Sequence, residues 1–131
     1  MAEHYEKVKA YLQELELPIE TEDEDEEIVI VNDDERGIHN LIIDCEDPIL
    51  ILEQAVLPLP ANAGKLYERL LEINRTLIHG AFAIDLETKM VLFRDTLRLD
   101  TLDRSEVEGT INALSLAMAE NAEELIAFSH S

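Results

Sequence analysis

The chain has 131 residues, 47% of them apolar, and its 30 acids against 10 bases leave a net charge of −20. This length allows one ordinary domain and excludes two, with a core large enough to stand without disulfides or metals. The charge argues against nucleic acid and anionic membrane, which both present negative surfaces, and for partners with basic segments.

Residues 3–16 read as an amphipathic helix, with Tyr5, Val8, Leu12 and Leu15 at spacings of three and four and Tyr11 widening the stripe. Pro18 ends it. Residues 20–27 then hold seven acids in eight positions, which reads as a solvated linker or an acidic lip. Ile28–Val31 is a short β-branched strand. The turn Asp33–Gly37 follows, with Gly37 able to take positive φ, and Ile38–Cys45 is a second strand. Glu46-Asp47-Pro48 turns the chain into a third strand, Ile49–Leu57. The connections are too short for crossovers, so the three strands form an antiparallel meander.

Pro58 and Pro60 break the sheet, and Asn62 is placed to cap a helix running to about Ile78. Gly80 stands where a left-handed C-cap is expected. Ala81–Leu86 and Lys89–Leu97 are the fourth and fifth strands, joined at Glu87-Thr88. Asp103 and Glu106 form a capping box, with Leu102 and Val107 as its hydrophobic staple, for a last helix reaching about Phe128. The expected fold is α+β: an α-β-β-β-α-β-β-α order with a five-stranded antiparallel sheet and three helices in a single domain, residues 1–131.

A half-wet sheet alternates apolar and polar residues, yet Ile28–Val31 and Ile49–Leu52 are apolar throughout, and Leu41–Ile43 repeats this. The middle helix carries two adjacent stripes, Leu66, Leu70, Ile73 and Leu77 beside Tyr67, Leu71, Asn74 and Ile78. Together they exceed the ~100° that one contact needs. Either three helices cover both faces of the sheet, or a second copy covers the surplus. The second reading is favoured, since 131 residues supply little material for two full layers. Its expected contact is the middle helix, through Leu66, Leu70, Ile73, Leu77, Tyr67 and Leu71.

Motifs for chemistry are missing. The glycines at 37, 64, 80 and 109 make no phosphate loop, and there is no nucleophile elbow or paired cysteine motif. His4, His39, His79 and His130 share no ligand spacing, and Asp23, Asp25 and Glu27 lack the glycine and terminal Glu of a calcium loop. Asp44 and Glu46 are a conceivable acid–base pair, but a solvated strand end is the simpler reading. Arg94 and Arg98 read as charge-paired structural residues, and Cys45 as a buried, inert thiol suited to a reducing cytoplasm. The N-terminus lacks the basic and apolar regions of a signal peptide, and no apolar run approaches the ~20 residues of a membrane helix. No cofactor, no metal and no catalysis are expected.

Leu70-Leu71-Glu72-Ile73-Asn74, leading to Gly80-Ala81-Phe82-Ala83-Ile84-Asp85 and later to Leu97-Arg98-Leu99-Asp100-Thr101-Leu102, resembles the type III secretion chaperone-like families. These include the Tir-chaperone (CesT-like) and YbjN-type families. The resemblance covers nearly the whole chain. It implies the element order above, a homodimer without enzymatic activity, and capture of a partner or effector segment. The YbjN-type alternative is a regulatory module in signal transduction. An enzyme is a third idea, for which the sequence offers no converging titratable groups, and mimicry of nucleic acid is a minor fourth.

Overall fold

The computed structural model of the protein describes residues 2–130; Met1 and Ser131, the outermost residues of the expected domain, lie outside them. In chain order the elements are α1 (Ala2–Glu14), β1 (Ile19–Asp23), β2 (Ile28–Asp33), a 3-10 turn (Asp34–Arg36), β3 (Ile38–Glu46), β4 (Ile49–Pro58), α2 (Gly64–Asn74), β5 (Ala81–Asp85), β6 (Met90–Arg98) and α3 (Arg104–Phe128). The strands form one antiparallel sheet in the order β1-β2-β3-β4-β6-β5.

The α+β class and the three helices match the sequence reading, but the sheet has six strands, not five. The extra strand lies in the acidic stretch expected to be a linker. Ile19 is half-buried on the core while Glu20, Thr21, Glu22 and Asp23 are exposed. An edge strand needs only backbone partners on one side and one inward anchor, so its acids stay in water. Lys9 Nζ lies 3.0 Å from Glu22 Oε1, and Asn32 Nδ2 donates to Glu20 Oε2 at 2.8 Å. Asp23 Oδ1 accepts from the Glu26 N–H at 3.1 Å and closes the turn into β2.

One face of the sheet and all three helices share one cluster of buried side chains. Val29 and Val31 of β2, Ile38, Leu41 and Ile43 of β3, Leu50, Leu52 and Leu57 of β4, and Val91 and Phe93 of β6 supply the sheet side. Tyr5, Val8 and Leu12 of α1, Leu66, Leu70 and Ile73 of α2, and a row along α3 from Val107 to Leu125 cover it. Two bulges adjust the alternation. Asn40, at φ 51°, puts Ile38 and Leu41 both inward. A register shift between Ala55 and Leu57 does the same for Gln54 and Leu57. Gln54 is therefore buried, and its amide is fully used: Oε1 accepts from the His39 N–H at 2.9 Å and Nε2 donates to the Gly37 carbonyl at 3.1 Å.

α2 is shorter than the sequence suggests. It begins after Ala63, which offers no side-chain cap, so Asn62 is not the cap expected of it. It ends at Asn74 because that side chain leaves the helix for the sheet. Asn74 Oδ1 accepts from the Phe82 N–H at 2.7 Å, and Nδ2 donates to the Phe82 carbonyl at 3.1 Å. Gly80 is thus no C-cap but the turn into β5; it has φ 75°, and a Cβ there would stand 2.5 Å from the Phe93 ring. α3 starts with the predicted capping box: Asp103 Oδ1 accepts from the Glu106 N–H at 3.0 Å, and Glu106 Oε1 accepts from the Asp103 N–H at 3.2 Å. Leu102 and Val107 are buried beside it.

Candidate protein-binding surface

The second face of the sheet carries a row of aliphatic side chains that joins neither the core cluster nor the residues packed against it: Ile28 and Ile30 of β2, Ile42 of β3, Ile49 and Ile51 of β4, and Leu92 of β6. Ile42 at its centre is 41% exposed. The strand register places these residues in rows across the sheet. One row runs Thr21, Ile30, Ile42, Glu53, Arg94, Ala81; the next runs Asp23, Ile28, Asp44, Ile51, Thr96. No helix joins these residues to the core cluster, so the expectation that three helices cover both faces of the sheet is corrected: the helices pack on one face and leave the other open.

Charges interrupt the open face in two ways. Arg94 Nε donates to Glu53 Oε2 at 2.8 Å, so that pair is mutually satisfied; Arg98 is likewise held by Asp100 at 2.8 Å. Asp44 is different. It stands between Ile28 and Ile51 in register, and its buried Oδ1 has no hydrogen-bond partner among the described residues. Burial pushes its carboxyl up to about 6; the charge of Glu46 beside it and a hydrogen bond shared between the two carboxyls, which needs a proton, act in the same direction. The expectation of a solvated strand end is corrected for Asp44, because alternation sets it into the aliphatic row. Cys45, on the opposite side of β3, is half-buried and packs on the core; burial raises its thiol to about 12, leaving it inert.

Two further surfaces are apolar. On α2, Leu71 is 71% exposed and Tyr67 40%, whereas Leu66, Leu70 and Ile73 are buried in the chain's own core and Leu77, beyond the helix end, is half-buried against it. The six residues expected at a contact therefore split: Tyr67 and Leu71 are exposed, Leu77 is half-buried, and the other three are inside. A groove of about 320 Å³ runs between the 3-10 turn, β4 and α3, floored by Met118, Ala119 and Ala122.

The two sheet edges differ as well. Asn74 occupies the outer backbone groups of Phe82 on β5. β1 at the other end is bordered by acids. Among the described residues no three His, Cys, Asp or Glu side chains gather as a metal site requires. Nor is any helix among them long and apolar enough to cross a membrane. His39 lies 3.1 Å from Asp34, and His79 packs where a side chain on Gly109 would stand.

A family model, CesT_Tir_1, matches residues 1–131. The chain belongs to this family. Its fold is similar to that of a chain in the HopA1–SchA chaperone–effector complex, with a TM-score of 0.65 at 12% identity over 98% of this chain and 94% of that one. It is similar to a chain of the ExsC–ExsE complex, with a TM-score of 0.65 at 17% identity over 97% and 94%. It is also similar to YbjN from E. coli, with a TM-score of 0.68 at 15% identity over 91% and 92%. No curated protein sequence matches the chain. In this family fold, the Leu-Leu-x-x-Asn segment that carried the sequence resemblance has a visible task here: Leu70 anchors α2, and Asn74 ties its end to β5.

Proposed function

We propose that the chain is a one-domain, non-enzymatic chaperone or adaptor of the cytoplasm, working as a homodimer that holds a segment of a partner protein. The observation that carries this reading is the open aliphatic sheet face, which a lone soluble chain has no structural reason to keep. An extended or helical segment of another protein covers such a face with its own apolar side chains. The net charge of −20 keeps the uncovered form soluble and favours a basic client. Family membership supports the same reading. Tyr67 and Leu71 on α2 are the proposed dimer contact, leaving the sheet face to the client.

Light scattering tests the dimer. The wild-type chain runs at twice its monomer mass, and Leu71→Glu runs as a monomer; a wild-type monomer at micromolar concentration ends the dimer claim. Mass spectrometry of polypeptides retained by the purified chain, at low and high salt, tests the client. Recovery of nothing but the protein itself at either salt removes the main support for a chaperone.

The likeness to YbjN favours a second reading, a regulatory module in signal transduction. Its partner would be folded, and its affinity would fall as salt rises, because a rim of acids dominates such a contact.

A further inference from the structure

We infer that Asp44 is the specificity point of the open sheet face, and that the occupant it selects is a segment carrying a lysine or arginine flanked by aliphatic residues. This inference rests on the reading that the face holds a partner segment, and names the chemistry of that segment.

The centre of the face is aliphatic: Ile28, Ile30, Ile42 and Ile51 surround Asp44 in register, across the strands and along β3. Partner strands lie ~4.8 Å away and the next residue on the same face ~7 Å away, so all four are within reach of one bound side chain and its neighbours. Of the acids beside it, Glu53 is already matched, since it accepts from Arg94 at 2.8 Å, while Glu46 brings a second negative charge and no cation. Asp44 alone keeps a buried oxygen without a partner among the described residues. Oδ1 is already out of water, so sealing the exposed remainder of this carboxyl under a purely apolar segment leaves the whole charge desolvated without a cation, which is costly. A second copy laid on this face adds more acid, because Asp44 and Glu46 recur in it with the rest of the chain's −20. A cation flanked by aliphatic residues meets both demands: it pairs with the carboxylate through a charge-assisted hydrogen bond while its neighbours cover the isoleucines. A guanidinium fits best, because it is weakly hydrated and loses little on leaving water for an apolar face.

The surrounding acids work in the same direction. Glu46 follows Asp44 on β3, Glu26 lies in the turn before β2, and Asp23 sits beside Ile28 in the same cross-strand row. Their field draws a basic segment to this end of the face, and Asp44 fixes where the cation stops.

The test is selection from a random peptide library on the purified full chain at neutral pH. Wild-type protein should enrich extended peptides with Arg or Lys between aliphatic residues. Asp44→Asn, which keeps the shape and removes the charge, should keep the aliphatic preference and lose the cation. Asp44→Lys should exchange it for Asp or Glu, and Glu87→Gln, in the exposed turn between β5 and β6, should leave it in place. An arginine peptide chosen this way should bind Asp44→Asn about ten-fold more weakly, the change expected for one charge-assisted hydrogen bond. A cation preference unchanged in Asp44→Asn, or absent in the wild type, overturns the inference. Ile42→Glu separates it from the reading beneath it. If Ile42→Glu abolishes all selection while Asp44→Asn retains its cations, the face binds segments but Asp44 does not choose them. If neither substitution alters the selected peptides, the face is not the binding surface and both fall.

Discussion

The two faces of the sheet are built from the same strands and nearly the same residue types, yet they do different work. Val29, Val31, Leu41, Ile43, Leu50 and Leu52 face the helices and are buried. Their chain neighbours Ile28, Ile30, Ile42, Ile49 and Ile51 face the other way and stand outside the core cluster. What separates the faces is the polar residue each contains. Gln54, on the covered face, has both ends of its amide bonded. Asp44, on the open face, has a buried oxygen with no partner among the described residues. A closed core satisfies its polar groups; the open face satisfies Glu53 through Arg94 and leaves Oδ1 of Asp44 without a partner among the described residues.

Substitutions sharpen this contrast. The largest effect is expected on the covered face. Leu52→Ala removes a fully buried side chain and should cost about 2–5 kcal/mol in urea unfolding. Ile51→Ala, one residue before it and on the open face, should cost about 1 kcal/mol or less. Equal losses would mean that the open face is covered after all. Next comes Asn74→Ala, which strands two backbone groups of Phe82 and should cost about 1–3 kcal/mol in the same assay. It also bares the β5 edge, so turbidity on warming should rise. Asp103→Ala removes the cap of α3 and should cost ~1 kcal/mol, seen as an earlier unfolding midpoint.

The smallest effect is the pH dependence of Asp44. Its carboxyl sits at about 6 in the folded chain against an ordinary 3.8, so protonation favours folding. That contribution is fully present below 3.8 and is lost as pH rises through about 6. Glu26, Glu46 and Glu53 face the same region, with Arg94 holding Glu53. Between pH 4 and pH 7, Asp44→Asn should lose less thermal stability than the wild type; parallel curves in calorimetry would show that burial of Asp44 has no energetic weight.

Much of the fold was legible in the sequence, for identifiable reasons. The α3 capping box is local chemistry, read directly from Asp103 and Glu106. The surplus of apolar residues on Ile28–Val31 and Ile49–Leu52 was also visible, and it became the open face. Three things were hidden. β1 was masked because an edge strand made of acids lacks the alternation that marks strands; its stability comes from β2, not from its own composition. The end of α2 was misplaced because Leu77 and Ile78 continue the helical period after Asn74 has turned to β5. The split within α2 was hidden because periodicity shows which residues share a face, not which face the chain itself covers. Leu66, Leu70 and Ile73 are buried inside, Leu77 is half-buried, and Tyr67 and Leu71 remain outside. The signal for Asp44 was present in its parity: it shares a side with Ile42, while Leu41, Ile43 and Cys45 share the other.

The central claim is that the open face serves binding and not folding. It is tested most directly by measuring two quantities on Ile42→Glu: the free energy of unfolding in urea, and the amount of client polypeptide the purified chain retains. The account predicts that stability falls by about 1 kcal/mol or less, as for an exposed strand position, while retained client is lost. A collapse of stability, or retention equal to that of the wild type, would contradict it.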